Sequence, residues 1–252
     1  NNVSEYDKLT EAKHIQLIYE LEKEILCEIL KNVNSSEKDM MDFACGSGRW
    51  THFLENHFKS STGVDVSRQM VEAAKRKCHR SELIVTDITS DNIDERLSGR
   101  EFDVITTFRF FKNAQPRLRS SALKSLRDFL KNDGILIFDI HLNSWSVMGL
   151  LARLISLLRL QKILKIGELK VRTMSLGDIK RMFADSGFEI CDYWGMGVLP
   201  GRSNYIMMPW KWLRRLEGWF TRKKILRAVS YNLLIVAKKK NKASTGETYK
   251  NG

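Results

Sequence analysis

Four cysteines, Cys27, Cys45, Cys78 and Cys191, are scattered along 252 residues, and none forms a C-x-x-C pair. That argues against a disulfide framework and a cysteine-based zinc site, and it favours a reducing compartment. A run of about 20 apolar residues, the length of a membrane span, is also missing. The longest greasy stretch, Val147 to Leu160, is interrupted by Arg153 and Arg159. The first residues are charged and lack an apolar signal core. These absences lead us to expect a cytoplasmic protein whose membrane contact, if it has any, is peripheral. There is no internal repeat. Acids are nearly absent from Arg202 to Lys242, which holds twelve Lys or Arg and the single acid Glu217. That segment carries +11 of a net charge of +12, so the basicity is local and points to an anionic partner surface.

What is present is alternation. Glu11 to Leu30 has a helical period, with Ile15, Ile18, Leu21, Ile25, Leu26 and Ile29 at spacings of three and four. Strands are expected at Met40–Ala44, Ser61–Asp65, Leu83–Thr86, Phe102–Thr107 and Ile135–Ile140. Helices are expected at Arg49–Phe58, Ser67–Cys78 and Arg117–Lys131, the last stopping at the turn Asn132-Asp133-Gly134. Short links between alternating strands and helices indicate a parallel sheet covered on both faces. A basic, apolar segment from Ser144 to Arg172 breaks the rhythm. A helix at Ser175–Ser186 and strands at Phe188–Trp194 and Tyr231–Ala237 come next, the two strands separated by a tryptophan-rich basic stretch.

The most informative stretch is Asp42-Phe43-Ala44-Cys45-Gly46-Ser47-Gly48-Arg49. Small residues between a strand and a helix leave backbone N–H groups open, so a ligand can approach the main chain. About 20 residues on, Thr62-Gly63-Val64-Asp65 is a second strand ending in an acid, placed to accept hydrogen bonds from ribose hydroxyls. A nicotinamide-dinucleotide loop would need a third glycine, and Thr51 stands there.

The pair resembles motif I and its follow-on acid in class I S-adenosylmethionine-dependent methyltransferases, with Ala44 in place of the first glycine of that family's loop. Thr86-Asp87-Ile88, Phe102-Asp103-Val104-Ile105, the turn Leu130-Lys131-Asn132-Asp133-Gly134 and Phe183-Ala184-Asp185-Ser186-Gly187-Phe188 resemble the family's later motifs in order and spacing. The resemblance implies a Rossmann-like α/β fold: a seven-stranded, mostly parallel sheet with helices on both faces and an antiparallel last strand. It implies one methyltransferase domain over residues 1–252. An N-terminal helical cap would span about 1–34, insertions about 144–172 and 196–230, and a flexible polar tail about 240–252. The cofactor implied is S-adenosyl-L-methionine. Asp42, Ala44, Cys45, Gly46 and Gly48 would hold its amino-acid side, Asp65 its ribose, and Val66, Met70, Asp87 and Ile88 its adenine. Thr107 and Phe108 would lie at the strand-four exit beside the methyl group.

Methyl transfer needs an in-line nucleophile, and a base only where that nucleophile carries a proton. His141, after strand five, is the candidate base, with Asn143 sharing the role, and Arg109 is the candidate contact for an anionic acceptor group. Both catalytic candidates have structural alternatives, a loop hydrogen bond for His141 and an ion pair for Arg109. His52 and His57 lie at i,i+5 and suit no shared metal, so no metal site is expected. The Trp210, Trp212 and Trp219 segment with Arg214, Arg215, Arg222, Lys223 and Lys224 fits three roles: an anchor with a solvated face, an anionic lipid surface, or a nucleic acid. Motifs of adenine-amino, cytosine-C5 and ribose 2′-O enzymes are absent, which lowers the nucleic-acid reading. The expectation is a methyltransferase acting on a small-molecule or lipid- or glycan-linked acceptor, with an anionic membrane surface as a partner. An RNA methyltransferase and a non-catalytic cofactor-binding protein are the alternatives, and the oligomeric state is left open.

Overall fold

The computed structural model describes residues 13–141, 143–146, 149–150, 154, 174–199 and 209–240. Most of the segment 144–172, part of the loop 196–230 and the tail from 241 lie outside the described residues, as does most of the apolar face expected around Leu151 to Leu158. In chain order the elements are α1 (Lys13–Asn32), β1 (Asp39–Phe43), α2 (Arg49–Leu54), β2 (Ser60–Asp65), α3 (Arg68–Lys75), β3 (Ser81–Val85) and β4 (Phe102–Thr107). After them come α4 (Phe110–Asn113), α5 (Pro116–Phe129), β5 (Leu130–His141), α6 (Leu176–Asp185), β6 (Phe188–Met196), α7 (Trp210–Thr221), α8 (Lys224–Arg227) and β7 (Asn232–Lys239).

The strands form one seven-stranded sheet in the order β3-β2-β1-β4-β5-β7-β6. The first five pair in parallel, and β7 runs antiparallel between β5 and β6. The order reverses beside β1, and in such sheets ligands bind outside the carboxyl ends of the strands at that point. Alternate residues sort onto two layers. Met41, Phe43, Ile105, Phe138 and Leu233 face α5 and α6. Met40, Val104, Ile137 and Leu234 face α1, α2 and α7, where Leu17, Leu21, Ile25 and Leu213 cover them. Asp42, Thr106, Asp139, His141 and Asn232 alternate with the first set and so point toward α1 and its neighbours.

Several boundaries differ from the sequence reading: α2, expected to reach Phe58, ends at Leu54, and α3, expected to reach Cys78, ends at Lys75. The helix expected to stop at Asn132-Asp133-Gly134 ends at Phe129, and the chain enters β5 at once. Phe102 pairs with Leu130 and Val104 with Ile135, so residues 131–134 bulge out. Lys131 then reaches Asp103 Oδ2 at 2.9 Å, and Gly134 fits because a Cβ there would lie 3.0 Å from the Asp103 carbonyl. Gly134 serves a bulge rather than a helix end.

Candidate functional site

The loop after β1 takes its shape from three residues in left-handed conformation. Ala44 has φ 55°, Gly46 φ 56° and Gly48 φ 78°. Ala44 holds that conformation with a Cβ, at a cost of roughly 1–2 kcal/mol. A Cβ on Gly46 would meet nothing within 4 Å, so that face of the loop is open for a ligand. A Cβ on Gly48 would lie 2.8 Å from both Ala74 Cβ and Cys78 Sγ, so this glycine lets α2 and α3 pack closely. The two glycines of the motif therefore do different work.

Asp65 ties the loop to β2. One carboxylate oxygen accepts the Gly46 N–H at 2.9 Å, and the other accepts the Ser67 N–H at 2.8 Å. Each oxygen has a second lone pair left for a ligand hydroxyl. Asp42 is buried; it accepts from Thr51 Oγ1 at 2.6 Å and Thr106 Oγ1 at 2.9 Å. Burial pushes its pKa up to about 6, against the pull of those two hydroxyls. The threonine that spoils the dinucleotide pattern is thus the partner of the motif's first acid. Burial and the nearby Asp42 and Asp65 raise the Cys45 thiol well above its usual value, so it is a packing residue rather than a nucleophile.

The other cofactor-side candidates divide. Phe108 stacks on Trp50 at 4.2 Å between ring centroids, and both line a small cavity of about 40 Å³ with Asp42, Gly46, Arg49 and Arg109. Val66 is exposed and Met70 half-buried beside the carboxyl end of β2. Asp87 is exposed, and its Oδ1 accepts the N–H and hydroxyl of Thr89, which closes its own turn. Ile88 is wholly buried in the layer facing α5 and α6, so it packs the core beneath the site. Thr107 points to that same layer, and its buried hydroxyl has no partner among the described residues.

A charged cluster completes the site, drawn from α1, the β4 exit and the end of β5. Arg109, in left-handed conformation at φ 65°, donates its backbone N–H to Asp139 Oδ1 at 2.6 Å. Its guanidinium donates to Asp139 Oδ2 at 2.6 Å and to Glu22 Oε2 at 3.1 Å. His141 Nε2 lies 2.8 Å from the same Asp139 oxygen. Burial would raise the Asp139 carboxyl, but Arg109 and His141 outweigh it and hold the group below the usual range. Burial lifts Glu22 to about 7 despite Arg109, and burial with Arg109 lowers His141 to about 4. Near neutral pH the imidazole is uncharged. An ionised carboxylate can only accept, so Nε2–H donates to Asp139 and Nδ1 is the accepting nitrogen. Ligand atoms of Glu22, Asp139 and His141 lie within 4.8 Å of one another, but the Arg109 guanidinium takes the place a cation would have.

Arg109 therefore makes the ion pair that is the alternative to acceptor contact. Asn143 is spent on structure: its amide donates to the Ala228 carbonyl at 2.6 Å and the Ser230 carbonyl at 3.0 Å, tying the start of one insertion to the end of the other. Sequence reasoning does not find Glu22 and Asp139. Their signal is an acid on the apolar face of a helix, one turn from Ile18 and Leu26, and an acid inside the apolar strand Ile135–Ile140.

Residues 41–136 match the family model described as a methyltransferase domain. That stretch of the chain carries a methyltransferase domain. Among similar proteins, carboxy-S-adenosyl-L-methionine synthase of Nautilia profundicola is 33% identical over 115 residues, 44% of this chain and 47% of that protein. An uncharacterised methyltransferase of Oceanobacillus iheyensis is 26% identical over 135 residues, covering 53% of this chain and 60% of that one. The matches span about half the length of these relatives. In fold, an S-adenosylmethionine-dependent methyltransferase from Clostridium acetobutylicum superposes with TM-score 0.61 at 17% identity, covering 96% of this chain and 100% of that one. Magnesium protoporphyrin IX methyltransferase from Synechocystis, with S-adenosylhomocysteine bound, gives TM-score 0.58 at 14% identity, covering 90% and 87%. The methyltransferase domain's seven-stranded sheet is thus the class I fold.

Proposed function

We propose that this protein transfers the methyl group of S-adenosylmethionine to a small-molecule or lipid- or glycan-linked acceptor held at an anionic membrane surface. The observation that carries the transferase reading is the open, left-handed Gly46 fastened to Asp65 beside a buried Asp42. These residues suit the cofactor: Gly46 leaves room where any side chain would intrude, and Asp65 keeps acceptor capacity for hydroxyls. Bound there, the cofactor supplies an already electrophilic methyl. The chain's own residues then position the acceptor, and His141, uncharged and oriented by Asp139, takes up a proton if the nucleophile carries one.

The membrane half rests on α7 and the residues just beyond it. Trp212, Arg215, Trp219 and Arg222 recur at i, i+3, i+7 and i+10 and are all exposed, a stripe that alternates aromatic rings with guanidinium groups. Ile225 and Val229 are exposed past the end of this stripe, and Trp145 and Leu150 in the other insertion. The opposite face of α7 buries Leu213, Glu217 and Thr221. A folded helix that keeps tryptophans outside among cations suits a headgroup layer. Among the described residues, no helix is long and apolar enough to cross a membrane.

Calorimetry with S-adenosylhomocysteine tests the first half. One-to-one binding is expected, weakened about 1–3 kcal/mol by Asp65→Ala through lost charge-assisted hydrogen bonds and abolished by Gly46→Val. No binding would sink the transferase reading. Vesicle sedimentation tests the second. Binding to anionic vesicles should exceed binding to neutral ones, fall with salt, and weaken when Arg215, Arg222 and Lys224 are replaced together, since each cation near the surface contributes about 1 kcal/mol. Arg214 is left out of that set because it bridges to Glu20 and Glu24 of α1. Retention of RNA with no lipid preference would transfer the surface to a nucleic acid.

A further inference from the structure

Asn232 opens β7 and stands directly across from His141 in the antiparallel pair with β5. Both side chains point to the layer that faces α1, and directly opposed residues of such a pair hold their Cβ atoms about 4.5–5.5 Å apart. Asn232 is 2% exposed, yet its side-chain oxygen has no hydrogen-bond partner among the described residues. Buried polar atoms in folded proteins are nearly always satisfied, so an orphan beside a functional cluster needs a reason. The neighbouring imidazole offers Nδ1, also an acceptor, because Nε2–H is committed to Asp139. The two acceptors thus belong to opposed positions of one strand pair, and His141 shares Asp139 with the Arg109 that lines the cofactor-side cavity. Whatever satisfies them must bring protons.

We infer that Asn232 and His141 together form the acceptor subsite, and that the group they hold is a neutral hydroxyl, with a neighbouring hydroxyl as the second donor. The inference rests on the transferase reading and names the atom that is methylated. A carboxylate has no proton to offer either acceptor and would face the Asp139 carboxylate. An ammonium would sit against the positive charge of Arg109, and the nearest carboxylate, Asp139, is already engaged by that guanidinium. A hydroxyl pair, as on a sugar or glycerol unit, satisfies both atoms without adding charge. In the reaction the hydroxyl oxygen bonds to the methyl carbon, the S–CH3 electron pair stays on sulfur, and the hydroxyl proton passes to His141 Nδ1. The products are a methyl ether, S-adenosylhomocysteine and an imidazolium that Asp139 stabilises.

Asn232→Leu tests the idea. Leucine is close in size and continues the run Leu233-Leu234, so removal of an unsatisfied buried oxygen should raise Tm. A fall in Tm would mean that the oxygen is satisfied within the fold, and would overturn the assignment. The second measurement monitors the Asn232 side-chain amide and the His141 ring by NMR in the S-adenosylhomocysteine complex. Methyl β-D-glucoside, n-butylamine and butyrate are added separately at equal, high concentration. The glucoside alone should shift both signals, and the His141 shift should be lost in Asn232→Leu. Shifts caused by the amine or by butyrate instead, or by none of the three, overturn it. If S-adenosylhomocysteine itself fails to bind, it is the transferase reading that has failed. Asn232→Leu should bind that ligand as the wild type does.

Discussion

The two halves of the site are stabilised in opposite ways. On the cofactor side, the buried acid Asp42 is met by two neutral hydroxyls, and Asp65 by two backbone N–H groups. On the side we propose for the acceptor, Glu22, Arg109, Asp139 and His141 form a chain of charge-assisted contacts from three distant parts of the sequence, and Asn232 adds an oxygen with no partner among the described residues. The first half is satisfied by local geometry and stands ready for its ligand. The second depends on every member being present, and in the proposed reading its occupant completes it. Loss of one neutral hydroxyl partner removes a hydrogen bond, whereas loss of one member of a buried ionic network leaves an uncompensated charge behind.

The widest separation between the halves should appear on neutralising each central acid. Asp139→Asn leaves the buried part of Arg109 with a weaker partner and should cost about 3–5 kcal/mol in urea unfolding. Asp42→Asn keeps hydrogen-bonding capacity toward two hydroxyls and should cost about 1 kcal/mol. Equal losses would break the comparison. Next in size, Gly48→Ala should cost about 3 kcal/mol, combining overpacking against Ala74 and Cys78 with left-handed strain.

The pH dependence sharpens the contrast further. Glu22 titrates at about 7 in the folded protein, above its ordinary 4.5. The folded state thus holds a proton that the unfolded chain has released, so this group's contribution is full below pH 4.5 and is lost as pH rises through 7. Glu22→Gln should flatten that decline by about 3 kcal/mol. The shallower decline from Asp42, between its ordinary 3.8 and about 6, should remain. Thermal scans at a series of pH values would show it, and an unchanged slope across pH 4.5–7 would remove Glu22 as its source. The smallest effect is expected from Ala44→Gly. Relief of left-handed strain exceeds the added unfolded-state freedom by less than about 1 kcal/mol, so Tm should rise slightly.

Sequence reasoning reaches the first half because its parts are contiguous. Asp42 to Arg49 and Thr62 to Asp65 carry turn chemistry and period-two strands within 25 residues, and the parallel core of the sheet is implied by the alternation of elements. The second half is legible only as anomalies: an acid among Ile18, Leu21, Ile25 and Leu26, and another between Phe138 and Ile140. Nothing local says that α1 lays Glu22 against Arg109, 87 positions away. The bulge at residues 131–134 reads as a helix end because Asn-Asp-Gly suits both, and the choice is made by pairing with β4. The stripe on α7 is visible in sequence as composition. Its outward direction requires the fold, as does the finding that Arg214 grips α1.

The contact at Gly48 also bears on how this chain varies. Position 48 shares its space with Ala74 and Cys78, each 2.8 Å from where a side chain would begin. The three positions are one unit of inheritance. A homologue with alanine at 48 should carry glycine at 74 and a residue smaller than cysteine at 78, or else set its second and third helices further apart. A drift at one position without the others would be purged by instability, even in a lineage that had abandoned the chemistry. Correlated substitution at these three sites should therefore trace the fold, while, on the proposed reading, variation around residues 22, 139, 141 and 232 should trace the substrate.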